Sequence, residues 1–222
     1  MDIITIEKMD HLFWLGRYIE RVSTTLKAYF GVYDKMIDKD RDYYKNICAD
    51  IGIPDVYGSK EEFIKRYPYD ANDPNSITSS LNRAYDNAIV MRDYIGTETM
   101  SYVQLAMDDM AKASRSDYDY ADMQLAVDHI FSFWGCVDDM IDDEPVKAIM
   151  RLGKRYERID LYLAFKHPVS DIQREFDRFQ QRLIQTGKTY DVPTFDTFER
   201  MLNERDFGYK RARALFANMF NV

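Results

Sequence analysis

The chain has 222 residues, of which 46% are hydrophobic and 31% charged, a globular balance with enough length to bury a core. Its formal charge of -8 disfavours generic binding to nucleic acid or anionic membranes, both of which need basic surface. The two cysteines, Cys48 and Cys136, stand alone without CxxC spacing, so neither a disulfide framework nor a zinc knuckle is implied and a reducing compartment is favoured.

The N-terminal MDIITIEKMDH lacks the basic start and apolar core of a secretory signal. No stretch approaches the roughly 18 uncharged apolar residues of a membrane-spanning helix, so a cytoplasmic chain is expected. In the first helix Leu12, Leu15, Ile19, Val22, Leu26, Tyr29, Tyr33 and Met36 follow a 3-4-3-4 spacing, the seam of a long helix packed in a bundle. A short helix over 41–50 is ended by Gly52 and Pro54, and another over 61–66 is stopped by Pro68. The loop Tyr69-Asp70-Ala71-Asn72-Asp73-Pro74-Asn75 is the strongest turn signal. Ser76 then predicts an N-cap for a helix running to Ile95. Gly96-Thr97 breaks it, and a further helix extends to Ala113.

Asp117 is expected to open a sixth helix that carries Leu125, Ile130, Phe133 and Trp134. Asp143-Glu144-Pro145 reads as the start of another, with proline in the first turn where its missing N–H costs nothing. That helix ends near His167-Pro168, and two or three more fill 170–222, broken at Gly187 and Pro193. With only 9 glycines and 6 prolines punctuating helical periods, the expectation is an all-α, single-domain bundle over 1–222, of roughly seven to ten helices.

One octapeptide occurs twice. LGRYIERV, Leu15 to Val22, returns as LGKRYERI, Leu152 to Ile159, with Leu, Gly, Glu and Arg in the same places. The packing stripe repeats as well: Leu12, Leu15, Ile19, Val22 and Leu26 correspond to Ile149, Leu152, Tyr156, Ile159 and Leu163. Gly16 and Gly153 therefore share a position beside the seam. A glycine inside a helix costs about 1 kcal/mol relative to alanine, which points to close approach of another backbone. Arg17 and Lys154 sit three residues before Glu20 and Glu157, where they can pair with those glutamates along their own helices. Arg21 and Arg158 point further round.

Two arrangements are open. In a pseudo-two-fold bundle Glu20 pairs with Arg158 and Glu157 with Arg21, a semi-buried ion network that fixes register. Alternatively, Arg17, Glu20, Arg21, Lys154, Glu157 and Arg158 converge on a ligand, phosphate or carboxylate by type. Glutamates lining a solvent-reachable pocket with unpaired cations would favour the second; glutamates saturated by arginine in a dry interface would favour the first.

FWLGRYIER, NDPNSITSSLNRAYDNAIVMRDYI and MRLGKRYERID, in that order, resemble the bacterial alpha-E family, an all-helical domain of unknown function named for its Glu-Arg motifs. By position the resemblance carries over Trp14, Gly16, Arg17, Glu20 and Arg21, then Gly153, Glu157 and Arg158. In the central block it carries over Ser76, Ile77, Asn87, Arg92, Asp93 and Glu98. Tyr85 and Ile89 stand where the family has arginines, and Met100 where it has tryptophan. The resemblance implies a bacterial cytoplasmic protein, often encoded beside an ATP-grasp ligase and a transglutaminase-like peptidase. An auxiliary role with those partners in peptide synthesis or modification is its leading implication. An enzyme or anion-binding module built on Glu20 and Glu157, and a self-associating structural domain, are the rivals. Trp14, Asn87, Arg92, Asp93 and Glu98 are secondary site candidates, and no cofactor or metal is implied.

Other constellations read as structural. The DDxxD at Asp138 to Asp142 resembles a magnesium-diphosphate motif but lacks a second motif, and its acidic residues suit a helix start. His11, His129 and His167 lack the Glu-x-x-His spacing of a di-iron site. His129 reads as a hydrogen-bonded core histidine. Lys210, Arg211 and Arg213 form a basic stretch that suits its own helix end or an acidic partner.

Overall fold

The computed structural model describes residues 4–38, 40–116 and 119–220, and among them eleven helices and no strand. The long first helix, α1 (Ile6–Asp38), is followed by α2 (Tyr44–Ile51), α3 (Lys60–Arg66), α4 (Ile77–Val90), α5 (Arg92–Ile95) and α6 (Thr97–Ala113). Then come α7 (Asp119–Asp139), α8 (Glu144–Ala164), α9 (Val169–Thr186), α10 (Val192–Met201) and α11 (Tyr209–Phe216). The expected opening of a helix at Asp117 lies outside the described residues. The helix count exceeds the expected range because the segment after Ser76 is divided. Met91 leaves helical dihedrals (φ -97°, ψ 9°), which ends α4 and starts the four-residue α5.

Most boundaries follow from local chemistry. Ser76 accepts from the Ser79 amide at 2.9 Å and caps α4. Asp143 accepts from the Val146 amide at 3.1 Å, with Pro145 in the first turn of α8. Gly52 and Gly187 close α2 and α9 in left-handed conformations, at φ 77° and 60°. The carboxylate that follows the DDxxD, Asp143, therefore serves a helix start, while Asp138 of the motif pairs with Arg151.

The α1 stripe is buried as its period requires, from Leu12, Leu15 and Ile19 to Val22, Leu26 and Tyr29. Its most extensive contact is with α8, and α4 packs on α1 as α9 packs on α8. The corresponding stripe of α8, Ile149, Leu152, Tyr156, Ile159 and Leu163, is buried too. The core is continuous along this axis, and Phe176, Phe179, Phe198 and Phe216 extend it into the C-terminal helices. No helix among the described residues is long and apolar enough to cross a membrane.

Candidate functional site: the two Glu-Arg motifs

The repeated glycines set the geometry. A Cβ placed on Gly16 would lie 2.0 Å from the carbonyl oxygen of Met150, and one placed on Gly153 would lie 2.0 Å from that of Phe13. The amides of Lys154 and Arg17 are each 3.2 Å from the same two Cβ positions. Every one of these contacts exchanges with its partner when the first octapeptide is laid on the second. Helices α1 and α8 thus cross backbone to backbone, related by a local pseudo-two-fold.

The Glu-Arg pairs bridge the helices just beyond this crossing. Arg158 Nε donates to Glu20 Oε1 at 2.6 Å, and Arg21 Nε donates to Glu157 Oε1 at 2.5 Å. These are the reciprocal pairs expected of a pseudo-symmetric bundle. Both glutamates are buried, at 2% and 1% relative exposure. The expectation for Arg17 is corrected: it reaches across to Glu157 Oε2 at 2.8 Å instead of back to Glu20. Its guanidinium also lies 4.2 Å from the ring of Trp14 on its own helix and 4.5 Å from the ring of Tyr156 on α8, and the second contact draws it toward the opposite helix.

Lys154 is corrected too. It makes no ion pair among the described residues, and its Nζ sits 3.9 Å over the ring of Trp134. Burial, together with nearby Arg158 and Arg155, outweighs the attraction of Glu20 and lowers its pKa to about 8. Burial alone would lower the pKa values of Arg21 and Arg158, yet their pairing with Glu157 and Glu20 raises both.

Glu175 and the two arginines that pair with it, Arg155 and Arg178, were not among the residues expected in this layer. Glu175 in α9, 3% exposed, accepts from Arg155 at 2.6 Å and from Arg178 at 2.7 Å. The signal was its register: it falls on the same face as Ile172, Phe176 and Phe179, where a carboxylate needs a partner. Burial lowers the pKa of Arg155 despite this contact. Six cations, Arg17, Arg21, Lys154, Arg155, Arg158 and Arg178, thus surround three buried carboxylates.

The secondary candidates do not join this layer as a group. Trp14 stacks on Tyr18, and Asn87 bonds His11 Nδ1 at 2.8 Å; both border a separate open depression near the start of α1. Arg92, Asp93 and Glu98 are exposed, and the last two share a shallow cleft with Asp142 and Asp143. His129 is half-buried and bonded to Asp109 at 2.7 Å. Lys210 and Arg211 are exposed, whereas Arg213 pairs with Asp160 at 2.9 Å and donates to the carbonyl oxygen of Asp50 at 3.0 Å. The cation thereby serves the C-terminus of α2. Burial pushes the Cys48 thiol up to about 12, so it is held as an unreactive thiol.

The two halves of the layer meet different surroundings. Glu157 is saturated by Arg17 and Arg21, while Glu20 and Arg158 border a groove of about 690 Å³ between α1, α2, α7 and α8. No curated protein and no solved structure gives a significant match to the chain. Residues 8–180 match the family described as a predicted alpha-helical domain with a conserved ER motif. That span takes in both octapeptides, the central block and Glu175, and the chain belongs to the Alpha-E family.

Proposed function

We propose that this chain is an auxiliary, non-catalytic helical protein of the bacterial cytoplasm, working beside an ATP-grasp ligase and a transglutaminase-like peptidase in peptide synthesis or modification. The observation that carries the non-catalytic part is the state of Glu157. Both of its oxygens are taken by arginines at 2.8 and 2.5 Å, in a contact where its side chain is 1% exposed. A general acid or base must reach a substrate proton. A carboxylate closed between two guanidinium groups is placed to hold helices in register. The partner assignment is what the alpha-E resemblance implies, since members of that family are often encoded beside such enzymes.

The test is co-expression with the ligase and the peptidase from one gene cluster, followed by size-exclusion chromatography of the purified mixture. The expected result is a stable complex with at least one of them. Elution of the three proteins as separate species, together with unchanged ligase activity when the helical protein is added, would remove the auxiliary role.

A further inference from the structure

The pseudo-two-fold places two equivalent spaces on the flanks of the α1–α8 contact, and only one is filled. Arg21 and Thr25 correspond to Arg158 and Tyr162 in the repeat. Around the first pair, Ile51, Ile53, Tyr67 and Arg213 close in and leave about 30 Å³. Around the second pair the groove of about 690 Å³ remains, a volume within the usual range of about 300–1,000 Å³ for small-molecule sites.

Hydrogen-bonding capacity is left over in that groove. Glu20 uses Oε1 for Arg158 and Thr24, and its Oε2 accepts no hydrogen bond among the described residues. Arg158 spends Nε on Glu20, and its Nη1 comes no closer than 3.8 Å to Glu175. Its two terminal amino groups therefore hold unused donors in a planar fork. Among the described residues Lys27 has no carboxylate partner; its Nζ lies 4.9 Å over the ring of Phe131. Lys35 donates to the Tyr43 hydroxyl at 2.9 Å and pairs with no carboxylate there. Asp50, the second groove carboxylate, is engaged by Lys166 at 3.5 Å. Phe131, 56% exposed, offers apolar surface beside these cations, and the buried Val32 forms part of the groove wall.

We infer that this groove binds a small anionic ligand, a carboxylate or phosphate carrying an aromatic or apolar group. The anion sits on the open edge of Arg158 and on Lys27, because a guanidinium fork matches two oxygens. The apolar part lies on Phe131, and the free Glu20 oxygen accepts an N–H from the ligand. An N-acylated amino acid satisfies all three. This goes beyond the auxiliary role and stands whether or not a complex with the ligase forms.

The test is calorimetric titration of the full chain with N-acetyl-L-phenylalanine, phenyl phosphate, inorganic phosphate and the neutral N-acetyl-L-phenylalaninamide. Saturable binding of at least one aromatic anion is expected, with the neutral amide failing to saturate. Comparing the two aromatic anions separates a carboxylate from a phosphate source. Lys27→Gln and Phe131→Ala, both at exposed positions outside the ion layer, should each weaken binding by about tenfold while leaving the melting temperature in place. The inference is overturned if neither aromatic anion saturates, or if both variants bind as the parent does.

Discussion

Gly16 and Gly153 stand at one crossing, each with space for a hydrogen and no more: a Cβ on either would come within 2.0 Å of a carbonyl oxygen in the opposite helix. A backbone atom cannot swing aside as a side-chain tip can, so the helices themselves must separate. Gly16→Ala and Gly153→Ala are each predicted to destabilise the protein by at least ~2 kcal/mol, from overpacking that also stretches the ion layer. Gly135→Ala, in α7 with nothing within 4 Å of its added Cβ, should instead gain up to about 1 kcal/mol. Urea unfolding of the three variants checks this. Equal effects at all three positions would refute the close-approach account.

Lys154 gives the layer a pH signature. Its folded pKa is lowered to about 8 from an ordinary 10.5. Between those values the unfolded chain holds the proton and the folded chain releases it, so this contribution to stability rises with pH across that window. Below pH 8 the penalty is fully present. Lys154→Met is therefore expected to be more stable than the parent at pH 7, by on the order of 1 kcal/mol after screening and loss of the Trp134 contact. The difference should shrink as pH climbs toward 10. A difference that stays constant with pH would show that the lysine is not held at a lowered value.

Glu175 ties α9 to the layer through Arg155 of α8 and also pairs with Arg178 of its own helix. Glu175→Gln would leave those arginines without their carboxylate, and a loss of about 3 kcal/mol is predicted from calorimetry or urea unfolding. Glu175→Ala should cost at least as much, through the added cavity. If either variant melts with the parent, α9 is held by its phenylalanines alone.

The cap at Asp143 isolates local from tertiary effects. Asp143→Ala removes the 3.1 Å bond to the Val146 amide and should cost about 1 kcal/mol, while Asp143→Asn and Asp143→Ser retain most of the stability. Equal losses in all three variants would mean that the charge, and not the cap, matters here.

Much of this arrangement is written in local pattern. The 3-4 stripe of α1, the caps at Ser76 and Asp143, and the turn at Gly52 are decided within a few residues, so periodicity and capping chemistry locate them. The reciprocal pairing of Glu20 with Arg158 and Glu157 with Arg21 was legible because the octapeptide repeats and exposes the symmetry. The destination of Arg17 was not. Spacing of three along one helix favours its own Glu20, but the Tyr156 ring, which belongs to the other helix, draws it across to Glu157. The same limit hid the pairing of Glu175 with Arg155, which comes from α8. The difference between the two flanks was equally out of reach, since it depends on where Tyr67 and Arg213 arrive from distant segments.

The Glu-Arg layer holds α1 and α8 together, and the stability of Glu157→Gln measures that hold. Urea unfolding at pH 7 should show a loss of about 2–3 kcal/mol with a single cooperative transition, because a buried carboxylate is lost and the half-buried Arg17 and more exposed Arg21 are left without their counter-charge. A variant as stable as the parent would contradict the structural role and return Glu157 to the list of groups free to do chemistry.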